Sequence, residues 1–283
     1  VLITGGSGFL GSHIANELNR RGHETLIFDT RTPDRDGHHF VRGDVRDYES
    51  LLLSLSGCSA IFHCAAVADL DTCRQEPEMA VRVNVLGTLN ALKAAAESGA
   101  KRFMHASSVY VFSRSGSIYR TTKLAAENVL TDLAQDLQLQ TTVLRFGSLY
   151  GPGADSGNAI LRIVRQAVLD KKIDFWGDGS EVREYIHVRD AAGLAVDALE
   201  EKYSGSSLHI AGRERITTQE VLEVVNEMLG GNISIVMHDT PFEGRYRLTP
   251  YSIDFETTQR LTGESYVDLG LGLMEVIESV RSS

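Results

Sequence analysis

Three residues of this chain are spaced for acid–base work on a hydroxyl. The apolar run Arg102–Ala106 leads into Ser107 and Ser108, and Tyr119-Arg120-Thr121-Thr122-Lys123 then opens a helical pattern. Positions four apart share a helical face, so Tyr119 and Lys123 can point into one cleft. A free tyrosine ionises near pH 10 and is a poor base at neutrality. An ammonium about 4 Å away contributes on the order of 4 kcal/mol at an effective dielectric of 20. At about 1.4 kcal/mol per unit, that lowers the phenol by up to about three units, less what desolvation restores. A phenolate so tuned takes a proton from an alcohol while hydride leaves the same carbon, and Ser108 holds the oxygen and relays the proton. Tyr-x-x-x-Lys alone is common on solvated helix faces, so its reading depends on what stands ahead of it.

What stands ahead is a nucleotide loop. The chain opens VLITGGSGFLGS, in which Gly6, Gly8 and Gly11 satisfy G-x-G-x-x-G and Gly5, Gly8 and Gly11 the related G-x-x-G-x-x-G. The loop lies between a strand and an amphipathic helix, the context the motif requires. Glycines let backbone approach a pyrophosphate, and the helix N-terminus offers free N–H groups and a positive dipole end. The next strand, TLIFD, ends on Asp29, 18 positions beyond Gly11. A carboxylate there accepts both ribose hydroxyls of an adenosine and repels a 2′-phosphate, so NAD is expected over NADP. Arg31 nearby softens that preference. A P-loop is excluded, because it needs lysine after the last glycine and Ser12 stands there.

These residues need a scaffold, and the chain supplies an alternation of strands and helices. Val1–Thr4, Thr25–Asp29, His39–Arg42, Ala60–Cys64, Arg102–Ala106 and Thr141–Arg145 are short apolar runs of buried parallel strands. Helical patterns over Leu10–Arg21, Pro77–Ser98 and Tyr119–Leu137 lie between them. The expected fold is α/β, a doubly wound parallel Rossmann sheet over residues 1–150. After Tyr150-Gly151-Pro152-Gly153 turn residues cluster and helices dominate, over Ala159–Leu169, Arg189–Glu200, Thr218–Met228 and Leu271–Ser279. The short β-like runs Ser207–Ile210 and Ile233–Met237 fall among them. Residues 151–283 are therefore expected to form a smaller substrate lobe, partly interleaved with the first domain. No repeat, heptad or low-complexity segment is visible.

Composition removes whole classes of function. A net charge of −10 repels nucleic acid and anionic membrane. No apolar run reaches the roughly 18 residues of a membrane span, and no secretory signal is visible. The chain opens on a strand without methionine, as a trimmed start would. Cys58, Cys64 and Cys73 form no CxxC pair, which fits buried thiols in a reducing cytoplasm. His38 and His39 are expected in solvent and His63 and His187 in the core, with no metal constellation.

These motifs resemble the extended short-chain dehydrogenase/reductase family, in its NAD-dependent nucleotide-sugar epimerase/dehydratase branch, over nearly the whole chain. Gly43-Asp44-Val45-Arg46-Asp47 is similar to the segment that holds adenine, His63-Cys64-Ala65-Ala66 to the turn under the cofactor, and Asn84 to a helix asparagine beside it. The resemblance implies that Gly5, Gly8, Phe9, Leu10, Gly11, Asp29, Asp44, Val45, Ala65, Ala66, Asn84, Tyr119 and Lys123 hold NAD. Leu144-Arg145 and Leu149-Tyr150-Gly151-Pro152-Gly153 resemble the passage into the substrate lobe. Trp176-Gly177-Asp178-Gly179-Ser180 through Arg183-Glu184-Tyr185-Ile186-His187-Val188 is the most telling match. It implies that Arg183 reaches a nucleotide diphosphate and that Asp190 opens a helix. Ser108, Ser148, Arg183 and Arg245 are the implied substrate contacts, and a UDP- or dTDP-sugar the implied substrate. A homodimer is also implied, pairing Pro77–Ser98 and Tyr119–Leu137 across a two-fold axis.

The chain departs from the branch in ways that bear on reaction type. Ser108 and Tyr119 are only 11 positions apart, a shortened connection that implies a more open sugar pocket. Val109 and Tyr110 follow Ser108, where sugar dehydratases of the branch carry acids and decarboxylases one. Ser148 stands where many members have asparagine. The expected function is epimerisation, most plausibly at C4, through a transient keto-sugar and return of hydride to the opposite face. Net oxidoreduction of a keto-sugar or steroid-like alcohol is the first alternative, and a non-catalytic NAD sensor the second.

Overall fold

The structure, a computed structural model, describes residues 1–34, 37–113, 117–238 and 258–282. Its frame is an eight-stranded sheet. The first six strands in chain order are β1 (Leu2–Thr4), β2 (Leu26–Asp29), β3 (His39–Arg42), β4 (Ala60–His63), β5 (Arg102–Ser108) and β6 (Gln140–Phe146). Each apolar run expected to be a strand is one, within a few residues at its ends. Three short strands of the later chain, β7 (Ser148–Tyr150), β8 (Lys172–Trp176) and β9 (Val182–Arg183), lie outside the frame, as does β10 (Tyr185–His187). β11 (Ser207–Ile210) rejoins it, β12 (Ile216–Thr217) and β13 (Ser234–His238) do not, and β14 (Gln259–Arg260) does. The order across the sheet is β14-β11-β6-β5-β4-β1-β2-β3, parallel throughout.

Ser207–Ile210 thus sits in the main sheet rather than among the elements of the smaller lobe, where sequence order had suggested it. β6 presents an open hydrogen-bonding edge, and β11 satisfies it in register, Ser207 opposite Val143 and Ile210 opposite Phe146.

Helices cover both faces. On one side α1 (Phe9–Arg20) buries Ile14, Ala15 and Leu18 at helical spacing. On the other, α2 (Tyr48–Ser54) is capped by Asp47, whose carboxylate accepts the Ser50 N–H. Next come α3 (Leu70–Gln75) and α4 (Pro77–Val81). The helix expected over Pro77–Ser98 is not continuous. A π-helical turn, Arg82–Leu86, separates α4 from α5 (Gly87–Glu97) and turns Asn84 inward. After β5 a 3₁₀ turn, Val109–Phe112, precedes α6 (Ser117–Leu133), which begins two residues before Tyr119.

The lobe has its own core. α7 (Ala159–Arg165) and, later, α9 (Thr218–Met228) and α10 (Leu269–Arg281) pack Ile160, Val164, Val221, Val225, Leu273 and Val276 around Tyr150. Between them α8 (Val188–Asp197) returns to the main sheet and packs beside α1.

The tightest point of the frame is the strand–loop–helix corner. Gly5 has φ +68°, and a Cβ there would lie 2.6 Å from the Ala65 nitrogen. A Cβ on Gly11 would overlap the Gly5 carbonyl oxygen. Gly11→Ala is therefore expected to lower stability by about 1–3 kcal/mol in urea unfolding, because rigid backbone must shift. A variant as stable as the parent would show that α1 can slide from the loop.

Candidate active site

The carboxyl ends of β1, β4, β5 and β6 open onto a cleft of about 710 Å³, walled on the far side by the lobe. Gly5, Gly8, Phe9, Leu10 and Gly11 line one end. Gly8 is the N-cap of α1; no side chain caps the helix, and its first turn carries no acid. The positive end of the helix therefore meets the cleft without an internal counter-charge, which suits a bound anion. Asp29 is pinned beside the loop, its two oxygens accepting the Ser7 and Arg31 N–H groups at 3.0 Å each. Arg31 lines the cleft as well.

Ser108, Tyr119 and Lys123 are brought to the same cleft from β5 and α6. Ser108 Oγ accepts the Tyr110 N–H at 3.3 Å. Tyr119 stands in the first turn of α6, with its ring edge-on to Tyr110 at 5.8 Å. Lys123 is 4 % exposed, and its Nζ donates to the Ala106 carbonyl at 2.8 Å. Burial pulls this amine down to about 8, against the opposing influence of the Glu127 carboxylate. The nearby thiols stay protonated, since burial raises Cys64 to about 12 and Cys73 to about 11.

A buried relay of hydrogen bonds holds this floor. The Ala65 N–H donates to Thr4 Oγ1 at 3.3 Å, so the Thr4 hydroxyl is free to donate to His63 Nδ1 at 2.8 Å. The Thr88 hydroxyl donates to the Asn84 carbonyl at 2.7 Å, so it accepts from His63 Nε2 at 3.0 Å. His63 is thus one neutral tautomer with both nitrogens used, and burial keeps it neutral by lowering it to about 3. His187 is also buried and lowered to about 4, first by desolvation.

Asn84 is fully enclosed. Its side-chain carbonyl accepts the Val67 N–H at 2.8 Å, and its amide donates to the Val67 carbonyl and to Thr122 Oγ1 at 3.0 Å each. Thr122 in turn donates to the Tyr119 carbonyl at 2.9 Å. Asn84 therefore ties the loop after β4 to the first turn of α6. Of the residues implied to hold cofactor, Ala66 lines the cleft, whereas Asp29, Asp44, Val45, Ala65 and Asn84 do not. Asp44 is ion-paired with Arg46 at 2.5 Å, which lowers its carboxyl below the usual range, and Val45 is buried beneath Gly87.

The substrate side is carried by small strands. β7 pairs with β10, and β9, which bears Arg183, pairs with β12. Ser148 and Arg183 both line the cleft. Arg245 lies outside the described residues. Asp190 is in the first turn of α8, but the cap is His187; Asp190 accepts the Val267 N–H at 2.8 Å. Tyr110, Asp69 and Trp176 also line the cleft; sequence reasoning passed over Asp69 and named Tyr110 and Trp176 within motifs without giving them a site role. Only the place of Tyr110 beside Ser108 pointed to it.

Residues 1–211 match the NAD dependent epimerase/dehydratase family. The chain belongs to that family. It is 28% identical to the UDP-N-acetyl-alpha-D-glucosaminuronate decarboxylase of Bacillus cytotoxicus, over 87% of this chain and 84% of the relative. It is 29% identical to a UDP-glucose 4-epimerase of Rhizobium leguminosarum bv. trifolii, over 81% of each. Among solved structures, MoeE5 in complex with UDP-glucose and NAD superimposes with a TM-score of 0.85 at 27% identity, over 99% of this chain and 98% of that one. The protein is an NAD-dependent enzyme that modifies nucleotide sugars. The uncapped α1 terminus fits the pyrophosphate of NAD. No helix among the described residues is long and apolar enough to cross a membrane.

The buried amine makes a stability prediction. An amine that ionises at 10.5 when unfolded and near 8 when folded costs the folded state roughly 3 kcal/mol wherever both forms are protonated. That cost is full below pH 8 and fades as pH rises toward 10.5, because the unfolded chain then holds the extra proton. Lys123→Met is expected to be more stable than the parent at pH 7, by an amount that shrinks between pH 8 and 10.5 in urea titrations. A pH-independent difference would show that the amine escapes burial.

Proposed function

We propose that the enzyme is a 4-epimerase of a UDP- or dTDP-linked sugar. The observation that carries this reading is the composition of the cleft floor. Ser108, Tyr119 and Lys123 line it together, and the two residues after Ser108 are Val109, 1 % exposed, and Tyr110. Neither is a carboxylate, so neither adds a carboxylate acid or base for elimination or loss of CO₂ next to Ser108.

Bound NAD supplies a reversible two-electron acceptor at the reacting carbon. Tyr119 removes the proton of the sugar hydroxyl and later returns one. Ser108 holds the oxygen through both steps. Lys123, ionising near 8, is mostly an ammonium at pH 7 and favours negative charge on the phenol oxygen. The keto-sugar must turn over between the two steps. The short Ser108–Tyr119 connection and the cleft of about 710 Å³ leave room for that. Arg183 and Ser148 also line the cleft, and in this reading Arg183 meets the diphosphate and Ser148 the sugar. The likeness to a UDP-glucose 4-epimerase supports the same choice. A second copy completes the assembly by pairing along α4, the π turn and α6, where Val81 and Leu86 are 40 % and 49 % exposed.

A panel of UDP- and dTDP-sugars, uronic acids included, tests the reading with NAD present. The expected product is a new epimer without net reduced cofactor, and Tyr119→Phe should lower turnover by about 10²- to 10⁴-fold while calorimetry still detects NAD binding. Release of CO₂ from a uronic acid, or stoichiometric cofactor reduction, would replace epimerisation by decarboxylation or net oxidation.

A further inference from the structure

Two charged side chains lie beneath the cleft and have no part in the chemistry above. Glu127 is on α6, one turn beyond Lys123, and is 4 % exposed. Arg145 on β6 meets it through Nε at 3.1 Å and Nη2 at 2.7 Å. Ser107 donates to the same carboxylate at 2.5 Å. Arg145 also donates to Thr258 and lies over the Phe112 ring, 4.7 Å from its centroid. Ser107 precedes Ser108 on β5, and Phe112 closes the 3₁₀ turn that follows it. The pair therefore touches the strand before Ser108, the turn after it and the helix that carries Tyr119 and Lys123.

We propose that the Glu127–Arg145 pair is the positioning element of the acid–base centre: it locks Ser108 against the α6 face bearing Tyr119 and Lys123, and it sets the charge that Lys123 meets from below. This rests on the reading of Tyr119 and Lys123 as the acid–base pair. Stability alone is a poor reason for such a pair, because buried ion pairs can be replaced by packed apolar residues at little cost. An apolar pair could not accept the Ser107 hydroxyl. Without that bond, the polar anchor of α6 at the end of β5 is Lys123 on Ala106, made by a group that must also serve the chemistry.

The charge argument follows from what faces Lys123. His63 and Cys64 come from β4 and the residue after it, Cys73 from α3, His105 from β5 and Glu127 from α6. The imidazoles are neutral and the thiols protonated, since burial opposes charge on each. Glu127 is thus the anionic member of the group and favours the ammonium, while the bidentate Arg145 moderates it. Removing either partner should move Lys123 in opposite directions.

Acetylation of Lys123 in the full chain, followed by peptide mass spectrometry across about pH 6 to 11, reads this directly. Glu127→Gln keeps the shape and the acceptor for Ser107 and should lower the midpoint. Arg145→Met should raise it. Ser107→Ala leaves the ion pair and the midpoint in place, yet should cut kcat on UDP-glucose about tenfold or more with KM little changed. An unmoved midpoint in Glu127→Gln, shifts of the same sign in both variants, or full turnover in Ser107→Ala would overturn the proposal. If Arg145→Met does not fold, Glu127→Gln decides the charge role alone. A parent enzyme that epimerises no sugar of the panel counts against the proposed function, while the labelling still decides this one.

Discussion

An ammonium buried in the floor of the cleft constrains what surrounds it. Lys123 must stay close enough to neutrality to be buried and charged often enough to act on a phenol. The structure meets both demands by surrounding it with groups that do not ionise: two histidines and two cysteines, each opposed by burial. A permanent cation beside it would drive the amine to its free base, and an unscreened carboxylate would fix it as ammonium. Glu127, ion-paired with Arg145, lies between those limits.

A charge poised in this way demands a rigid frame, and the frame is made of hydrogen bonds with fixed direction. From the Ala65 N–H through Thr4, His63 and Thr88 to the Asn84 carbonyl, each hydroxyl has one proton and one assignment. The Asn84 amide then reaches Val67 and Thr122, and Thr122 the first turn of α6. The glycine corner enters the same frame through Ala65, against which Gly5 packs without room for a side chain. The glycine loop and α6 are thus registered to each other through one hydrogen-bonded network. Buried networks of this kind specify geometry because a half-satisfied version is costly.

Much of this was readable from residues alone. A buried parallel strand is a short apolar run between turn signals, so the strands stand out without a structure. The glycine corner and the Ser108, Tyr119, Lys123 spacing are equally local. What could not be read depends on partners far along the chain. A 3.6-residue period cannot reveal one π turn, so the bonds by which Asn84 ties Val67 to Thr122 were not legible. Ser207–Ile210 lies among helices in sequence, and only the open edge of β6 decides where it pairs. Glu127 follows Lys123 by one helical turn on the inward face of α6, but its partner 18 positions away on another element is invisible to periodicity.

The substrate wall is built on a different principle from the floor. Ser148 and Tyr150 belong to β7, which pairs with β10, while Arg183 is on the adjoining β9. Tyr150, 1 % exposed, is the anchor of this assembly: a Cβ on Gly272 of α10 would lie 2.5 Å from its hydroxyl, so only glycine admits the helix. The wall therefore takes its place from apolar packing in the lobe, whereas the floor takes its place from directed polar bonds. Apolar packing tolerates substitution provided volume is kept; a directed network does not. Relatives that share the floor can therefore differ in the wall. That division matches a family in which similar chains are named as decarboxylases and epimerases of different sugars. In the reading proposed above, the choice of reaction rests with residues between the two, Val109 and Tyr110 among them.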